Sequence, residues 1–315
     1  MTFSTLPRIA SQLEPSFNTL LADRLQQPVL PIPRGVPVSL PDHVSVLVAA
    51  PIDRVAPAPA GWPFGLEWIQ LVSSGIDMHP NWVLHGRPTS TARGVAAETI
   101  AEYVLAAIFD DVKSFGSLRV SSPEQWKNRT TGALRGSTIG LVGLGAIGEA
   151  VAAKLLHLRA EVLAFRRSAQ PSGVAGVQLL NSLHEVLGRA DHLVLAAPAT
   201  PETSRLIDAA AFAAAKPGLH LINVARGELV DDAALLHALE TGQVRRATLD
   251  VTAPEPLPLG HPFYSHSRIW LTPHSAALGH APRLALIEKI SANHERWRQG
   301  LPLLDAVQSA SLVPA

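Results

Sequence analysis

A glycine-rich turn constrains the fold of this chain more than any other feature of its sequence. Residues 138–142 are an apolar run of strand length, the next six residues read G-L-G-A-I-G, and an alanine-rich helical pattern follows. The glycines are Gly143, Gly145 and Gly148. In a strand–turn–helix unit they allow a tight turn, close approach of a pyrophosphate and packing of helix on strand. The stretch therefore predicts a dinucleotide site at the helix start, with Ala146 and Ile147 beside the phosphates.

The composition excludes several classes of function. The chain has 315 residues, no cysteine, and 26 basic residues against 26 acidic ones. Disulfides, zinc–thiolate sites and cysteine nucleophiles are excluded, and no basic stripe indicates nucleic acid or a membrane surface. The first residues lack the pattern of a secretion signal and no stretch has the apolar length of a membrane span. We expect a cytoplasmic protein with a small-molecule substrate and no bound metal.

Two apolar runs in the first hundred residues predict buried parallel strands. Val44–Ala49 and Trp68–Val72 lack the alternation of half-exposed strands, as expected where helices cover both faces of a sheet. Residues 51–63 are rich in Pro, Ala and Gly and predict a loop. A helical pattern over Val95–Phe109 is long enough to carry the chain from one domain to the next.

From residue 138 onward, predicted strands and helices alternate, which favours a parallel sheet with helices on both faces. The predicted strands are 139–142, 161–165, 192–196, 219–224, 244–251 and 269–271. The predicted helices are 147–158, 182–187, 208–215 and 231–241, followed by a long one over 282–297. Ser182 and Glu185 have the spacing of a capping box.

The expected fold is α/β, with a doubly wound parallel-sheet (Rossmann) nucleotide domain and a second, smaller flavodoxin-like α/β domain. The nucleotide domain is expected at 98–283. The substrate (catalytic) domain is expected to be discontinuous, formed by 1–97 and 284–315, because the two long helical patterns flank the regular block.

Three ionisable residues follow predicted strands of this block. Arg226 follows one strand, Glu255 comes shortly after the next, and His274 follows the last. Ligands of open α/β sheets bind outside the carboxyl ends of the strands. Taken singly, a surface Arg, a loop Glu and a capping His are more often structural. Three at one edge of one sheet favour a catalytic group.

At this point the sequence resembles a known family. The segments N-V-A-R-G-E-L-V-D (223–231), D-V-T-A-P-E-P-L-P (250–258) and T-P-H-S-A-A-L-G (272–279), together with V-S-S-G-I-D (72–77), are similar to motifs of the D-isomer-specific 2-hydroxyacid dehydrogenases. The match covers most of the chain, and within the family the glyoxylate/hydroxypyruvate reductase branch is most similar.

The resemblance implies roles that suit the chemistry. Reduction of a 2-oxo acid needs a proton, and His274 is a suitable acid because imidazole titrates near neutrality. Glu255 would orient its ring. Arg226 would bind the substrate carboxylate and polarise the carbonyl. Ser74 and Gly75 resemble the carboxylate-binding loop of the family. The cofactor is expected to contact the glycine turn and further residues at the strand ends, namely Pro198, Thr203, Val224, Ala225, Arg226, Asp250 and His274.

The residues after the second strand of the nucleotide domain indicate the cofactor. In NAD-binding members an acidic residue there binds the ribose 2′-hydroxyl. This chain has Arg166, Arg167 and Ser168 instead, which suit a 2′-phosphate through charge-assisted hydrogen bonds. We therefore predict NADP(H), with NAD(H) less favoured.

Three alternatives remain open at this stage. The substrate is a small 2-oxo acid of the glyoxylate/hydroxypyruvate type in the leading hypothesis. A related dehydrogenase for phosphoglycerate or a bulky 2-oxo acid, or a dinucleotide-sensing binding protein, would carry many of the same motifs. The resemblance also implies a homodimer.

Overall fold

The computed structural model describes residue 6, residues 8–167 and residues 171–307. The chain divides into two compact units: unit 1 is Met1–Ala96 with Gly279–Ala315, and unit 2 is Ala97–Leu278. The second boundary was predicted between residues 283 and 284 and is observed between residues 278 and 279. The whole last helix therefore belongs to unit 1. Within the described part of the chain, no helix combines the length and apolarity needed to cross a membrane.

The strands are β1 (Ile9–Ser11), β2 (Val29–Pro31), β3 (Val46–Ala49), β4 (Trp68–Leu71), β5 (Thr89–Ser90), β6 (Thr138–Val142), β7 (Glu161–Phe165), β8 (Gln178–Leu180), β9 (His192–Leu195), β10 (Leu219–Asn223), β11 (Val244–Leu249) and β12 (Ile269–Leu271). The helices are α1 (Pro15–Leu25), α2 (Asn81–Leu84), α3 (Ala97–Lys113), α4 (Phe115–Leu118), α5 (Ala146–His157), α6 (Leu183–Arg189), α7 (Ala209–Ala214), α8 (Asp232–Glu240) and α9 (His280–Arg298). Short 3-10 turns occupy Pro123–Gln125, Gly227–Leu229 and Pro262–Tyr264.

Unit 1 is built on a parallel sheet with the strand order β2-β1-β3-β4-β5. This is the flavodoxin-like order. The two central strands β3 and β4 are buried along their whole length, as their apolar sequences predict. Leu286, Ile287 and Ile290 of α9 belong to the same apolar cluster as Phe17 and Leu21 of α1. The last helix therefore completes the core of the unit that the first residues begin.

Unit 2 is built on a seven-stranded parallel sheet with the order β12-β11-β10-β9-β6-β7-β8. The strand order reverses between β6 and β9. From β6 the chain adds β7 and β8 on one side, and then returns to add β9 to β12 on the other side. This is the doubly wound arrangement, and it confirms the predicted fold class. All seven strands run parallel, so their carboxyl ends lie along one edge of the sheet.

Several short elements escaped the sequence analysis. Among them are β1, β2, β5 and β8, which are only two or three residues long and lack a long apolar run. The capping-box prediction was wrong in its chemistry: Ser182 is the N-cap of α6, but its side chain makes no capping hydrogen bond. The side chains of Asp208 and Asp231 do cap helices, accepting from the N–H groups of Ala211 and Ala234 at 2.9 Å each.

Candidate active site

The glycine turn joins β6 to α5 and is closely packed at two of its three glycines. Gly143 has a φ of +98°, and a Cβ there would lie 2.7 Å from backbone atoms of Ala196. A Cβ on Gly148 would lie 2.3 Å from the carbonyl oxygen of Gly143. Gly145 is different, because no atom lies within 4 Å of the position its Cβ would take. Packing within the fold therefore requires glycine at positions 143 and 148, whereas the open space at Gly145 suits a ligand.

The helix start supplies the donors that a pyrophosphate needs. Gly145 is the N-cap of α5, and Ala146, Ile147 and Gly148 form its first turn. Helix geometry leaves the first N–H groups without acceptors inside the helix, and the macrodipole adds partial positive charge there. With open space beside Gly145, these residues fit the phosphates of a dinucleotide.

The end of β7 lies beside this turn. The N–H of Gly143 donates to the carbonyl oxygen of Phe165 at 2.9 Å, so the turn and the strand end are joined. The half-buried Arg166 follows, then Arg167, whose side chain is 79% exposed and whose Nη1 lies 3.6 Å from Oε2 of Glu202. Ser168, the third residue of the predicted basic turn, lies outside the described residues.

The loop after β9 is closed by its own hydrogen bonds. The hydroxyl of Thr203 donates to the carbonyl oxygen of Pro198 at 2.7 Å and accepts from the N–H of Thr200 at 2.7 Å. Pro198 and Thr203 therefore belong to one compact turn at the carboxyl end of the strand next to β6. Glu202 belongs to the same turn, and the sequence analysis did not identify it.

The segment after β10 is held by an asparagine that the sequence analysis missed. The side chain of Asn223 donates to the carbonyl oxygen of Arg226 at 2.8 Å and accepts from the N–H of Ala225 at 3.0 Å. Val224 and Ala225 are buried, and the guanidinium of Arg226 donates to the carbonyl oxygen of Ala225 at 2.7 Å. The backbone that carries Arg226 is therefore fixed on both sides of the residue.

Gly227 brings the Arg226 segment against the segment that carries Glu255. A Cβ on Gly227 would lie 2.1 Å from the carbonyl carbon of Thr252. Only glycine allows the two backbones to approach this closely. The sequence shows that Gly227 follows Arg226, but the requirement for glycine at this position comes from the contact with Thr252, which follows the neighbouring strand.

His274 and Glu255 form a hydrogen-bonded pair. Nδ1 of His274 lies 2.8 Å from Oε2 of Glu255, and Oε1 of the same carboxylate accepts from the N–H of Thr252 at 3.1 Å. A carboxylate only accepts hydrogen bonds when ionised, so the proton of this pair lies on Nδ1 and Nε2 is the remaining ring nitrogen. The His274 side chain is 34% exposed, and the pair lines a cavity of about 660 Å³ within unit 2.

Asp250 holds the backbone around His274. The carboxylate of this buried residue accepts from the hydroxyl of Thr272 at 2.6 Å and from the N–H groups of Ser275 and Ala276 at 2.9 Å each. Its carbonyl oxygen accepts from the N–H of His274 at 2.8 Å. His274 adopts a φ of +50°, a conformation that non-glycine residues rarely take without support. Asp250 supplies that support on both sides of the histidine.

Tyr103 extends this network from α3. Because the Thr272 hydroxyl donates its proton to Asp250, the Tyr103 hydroxyl is the donor in the 2.7 Å contact with Thr272. Burial raises the pKa of Tyr103, which keeps the phenol protonated and able to donate. The sequence analysis identified neither Tyr103 nor Thr272 as part of the site.

Ser74 and Gly75 lie in unit 1, in the loop that follows β4. The hydroxyl of Ser74 donates to the carbonyl oxygen of Ala92 at 3.1 Å, and that of Ser73 donates to the carbonyl oxygen of Gly75 at 2.7 Å. Ser73 therefore accepts from Nε2–H of the buried His79 at 3.0 Å. Burial lowers the pKa of His79 to about 4, so its ring is neutral at neutral pH.

The fold and the site define a class: an α/β protein with a doubly wound parallel sheet, which carries a glycine turn after β6 and a hydrogen-bonded His–Glu pair after β11 and β12. Residues 105–276 match the family described as "D-isomer specific 2-hydroxyacid dehydrogenase, NAD binding domain". The chain belongs to the D-isomer specific 2-hydroxyacid dehydrogenase family. The family consists of NAD(P)-dependent oxidoreductases that act on the CH–OH group of 2-hydroxy acids.

Individual relatives differ in their named activity. The chain is 39% identical over 194 residues to D-3-phosphoglycerate dehydrogenase from Mycobacterium leprae, covering 60% of this chain and 36% of the relative. It is 36% identical over 201 residues to glyoxylate/hydroxypyruvate reductase A from Serratia proteamaculans, covering 62% of this chain and 63% of that one. The chain thus spans little more than a third of the length of the phosphoglycerate dehydrogenase.

A solved structure extends the likeness over both units. The D-isomer specific 2-hydroxyacid dehydrogenase family protein from Aeromonas salmonicida has a TM-score of 0.80 and 26% sequence identity. The comparison covers 97% of this chain and 99% of that one.

Proposed function

We propose that this protein is an NADPH-preferring reductase that converts a small 2-oxo acid of the glyoxylate/hydroxypyruvate type to the D-2-hydroxy acid. The observation that carries the proposal is the 2.8 Å pair of His274 and Glu255, held at the same sheet edge as Arg226 and the glycine turn. A proton donor, a fixed cation and a dinucleotide turn are the parts that this reaction needs.

The reaction adds a hydride to the carbonyl carbon and a proton to the carbonyl oxygen. NADPH, when bound, would supply the hydride, and the glycine turn with the basic turn after β7 would hold it. His274 supplies the proton from Nε2 and becomes neutral, while its Nδ1–H remains donated to Glu255. Glu255 keeps the ring in one orientation throughout, through its hydrogen bond with Nδ1.

Arg226 is proposed to bind the substrate carboxylate and to polarise the carbonyl. A guanidinium offers several N–H donors in a fixed plane, and it keeps its charge at any physiological pH. Its backbone is fixed by Asn223 and by the close contact of Gly227 with Thr252. We further propose that the backbone N–H groups of Ser74 and Gly75 in unit 1 take part in substrate binding.

The preference for NADPH rests on the basic turn after β7. Arg166, Arg167 and Ser168 stand where a carboxylate would bind the free ribose 2′-hydroxyl of NADH. The guanidinium of Arg167 also lies 3.6 Å from the carboxylate of Glu202, a contact that the sequence did not predict. Both side chains are largely exposed, so the carboxylate of Glu202 competes only weakly with a 2′-phosphate for Arg167.

The remaining cofactor contacts are proposed on the loops after β9, β10 and β11. Pro198 and Thr203 form one turn, and Val224 and Ala225 present backbone groups at the end of β10. Asp250 is proposed to act indirectly, by holding the segment after β12, because its carboxylate accepts hydrogen bonds from Thr272, Ser275 and Ala276 of that segment.

The likeness to phosphoglycerate dehydrogenase supports a second candidate substrate. A dehydrogenase for 3-phosphoglycerate would reduce the corresponding phosphorylated 2-oxo acid. The reductase assignment is preferred because the sequence motifs are most similar to those of the glyoxylate/hydroxypyruvate reductase branch. A direct comparison of substrates decides between the two.

We also propose that the protein acts as a homodimer. Between α3 and β6 the chain exposes three large apolar side chains, Phe115 at 66%, Val120 at 40% and Trp126 at 81%. Exposed apolar groups in one segment support an interface with a second copy. Sedimentation of the purified protein at several concentrations measures the mass in solution, and a monomer throughout would contradict the proposal.

The substrate assignment is tested by steady-state oxidation of NADPH and NADH. The panel contains glyoxylate, hydroxypyruvate, pyruvate, phenylpyruvate and phosphohydroxypyruvate. We expect the highest kcat/KM for glyoxylate or hydroxypyruvate with NADPH, and a D-configured product from hydroxypyruvate. A higher kcat/KM for phosphohydroxypyruvate would favour the dehydrogenase, and tight NADPH binding without turnover of any acid would favour a dinucleotide-sensing role.

A further inference from the structure

A second cluster of functional side chains lies in unit 2 at the opposite, amino-terminal edge of the sheet. His192 is the first residue of β9, and His220, its neighbour in the sheet, is the second residue of β10. Asp111 approaches both from the last turns of α3. The two Nδ1 atoms lie 3.0 Å apart, and Oδ2 of Asp111 lies 3.8 Å from Nδ1 of His192 and 3.7 Å from that of His220.

We propose that Asp111, His192 and His220 form a binding site for a divalent transition metal such as Zn²⁺. The site goes beyond the proposed reductase reaction and departs from the sequence-based expectation that the protein binds no metal. Two imidazoles and one carboxylate are a common zinc ligand set, and a water molecule would complete four-coordination.

The distances between the three donor atoms suit such an ion. Zinc lies about 2.0–2.2 Å from nitrogen and carboxylate ligands, so the ligands of a tetrahedral site lie roughly 3.4 Å from one another. The three observed separations, from 3.0 to 3.8 Å, fall on both sides of that value. Small side-chain rotations are enough to place all three donors on one ion.

The surroundings of the histidines support this role. Nε2 of His220 lies 2.9 Å from the hydroxyl of Thr248, and a hydrogen bond from the outer ring nitrogen of a ligand is a regular feature of metal sites. The side chains of His192 and His220 are 1% and 0% exposed.

The surroundings of Asp111 bear on how a metal ion would reach the site and on how tightly it would bind. It lines a cavity of about 340 Å³, while its own side chain is only 9% exposed. The guanidinium of Arg245 contacts its carboxylate, which orients that ligand but opposes a cation by charge. Without metal, a hydrogen bond between the two rings accounts for the 3.0 Å contact of their Nδ1 atoms.

Asp110 offers a matched control on the same helix. Its carboxylate pairs with Arg246, much as that of Asp111 pairs with Arg245, but it is not one of the three clustered ligands. The variants Asp111→Asn and Asp110→Asn therefore each remove one charge from one Asp–Arg pair. Only the first removes a proposed metal ligand.

The test uses the full-length protein after removal of metal with a chelator. Co²⁺ is titrated and its visible absorption recorded, then Zn²⁺ is added to displace it. We expect one Co²⁺ per chain with the strong absorption of a four-coordinate site. Asp111→Asn should weaken binding at least about tenfold, while Asp110→Asn should bind as the wild type does. Zn²⁺ should raise the Tm of the wild type and of Asp110→Asn more than that of Asp111→Asn.

A second measurement needs no variant and so does not depend on the folding of Asp111→Asn. Long-range proton–nitrogen NMR spectra of the histidine rings report on each Nδ1 directly. Zn²⁺ should shift the Nδ1 resonances of two buried histidines and leave the exposed ones unchanged. Absence of Co²⁺ binding by the wild type, equal weakening by both aspartate variants, or shifts confined to exposed histidines would overturn the proposal.

Discussion

At the residue scale, His274 is the group on which turnover should depend most. Its proton is needed only in the transition state, and general acid catalysis contributes typically 10²- to 10⁴-fold. His274→Ala should lower kcat by that order and leave the dissociation constant of NADPH nearly unchanged. Stopped-flow turnover and fluorescence titration measure the two quantities.

A matched control for this variant is His237→Ala, which changes an exposed histidine on α8 of the same unit. It should retain wild-type kcat. Glu255→Gln keeps the size of the side chain but removes the carboxylate next to Nδ1 of His274, so the ring is held less firmly and kcat should fall. A wild-type rate for His274→Ala would exclude the histidine as the acid.

Arg166 is the residue at which cofactor choice should be most visible. Hydrogen bonds to charged groups are worth roughly 1.5–3 kcal/mol, so Arg166→Ala should lower kcat/KM for NADPH by about tenfold or more. NADH lacks the 2′-phosphate and should be little affected. Arg167→Ala should have the smaller effect, because that side chain is more exposed and lies near Glu202.

The variant Glu202→Gln provides the complementary test of the same turn. It removes a negative charge near the proposed 2′-phosphate site and should favour NADPH modestly, with no gain for NADH. Equal changes with both cofactors in all three variants would show that the turn does not bind the 2′-phosphate.

At the element scale, substitutions in the glycine turn should separate effects on stability from effects on NADPH binding. Gly148→Ala places a Cβ 2.3 Å from the Gly143 carbonyl oxygen, so it should lower the free energy of unfolding and the Tm. Gly145→Ala meets no atom within 4 Å and should leave the Tm nearly unchanged. It should still weaken NADPH binding, because the added methyl group occupies the space proposed for the pyrophosphate.

Thermal unfolding without cofactor and fluorescence titration with NADPH measure these two effects separately. The prediction for the turn fails if Gly145→Ala binds NADPH as tightly as the wild type. It also fails if Gly148→Ala unfolds at the wild-type temperature.

At the scale of the whole molecule, buried neutral histidines should make stability depend on pH. The pKa of His79 is lowered by burial from its ordinary value of 6.5 to about 4. Between these values the unfolded chain binds a proton that the folded chain does not. The contribution of His79 is therefore fully present above pH 6.5 and is lost as the pH falls towards 4, at a cost of about 3 kcal/mol at most.

Urea unfolding of wild type and His79→Gln at pH 7.5 and pH 5.0 measures this dependence. The wild type should lose more free energy of unfolding than the variant between the two pH values, because Gln does not titrate. Equal losses would show that His79 is not the responsible group. The variant should also raise KM for the 2-oxo acid, since His79 supports the loop of Ser73, Ser74 and Gly75.

Much of the architecture follows from local features of the sequence. The alternation of apolar strands and helical patterns predicted the doubly wound sheet, and β7 and β12 were predicted at their observed bounds. The glycine turn and the motifs around Arg226, Glu255 and His274 consist of consecutive residues. The roles proposed for these motifs depend on their position at strand ends. The apolar runs and turn residues of the sequence locate those ends, so the sequence alone was enough to propose the roles.

Other features were decided only by the tertiary structure, because they depend on residues far apart in the chain. The sequence placed Asp250 after a predicted strand, but only the structure shows that its carboxylate holds the backbone around His274 together with Thr272 and Tyr103. The need for glycine at position 227 arises from Thr252 on the next strand end. The cluster of Asp111, His192 and His220 draws on three elements whose residues have no common motif. Sequence patterns report on the local backbone and on which faces are buried, whereas contacts between distant side chains form only when those faces pack.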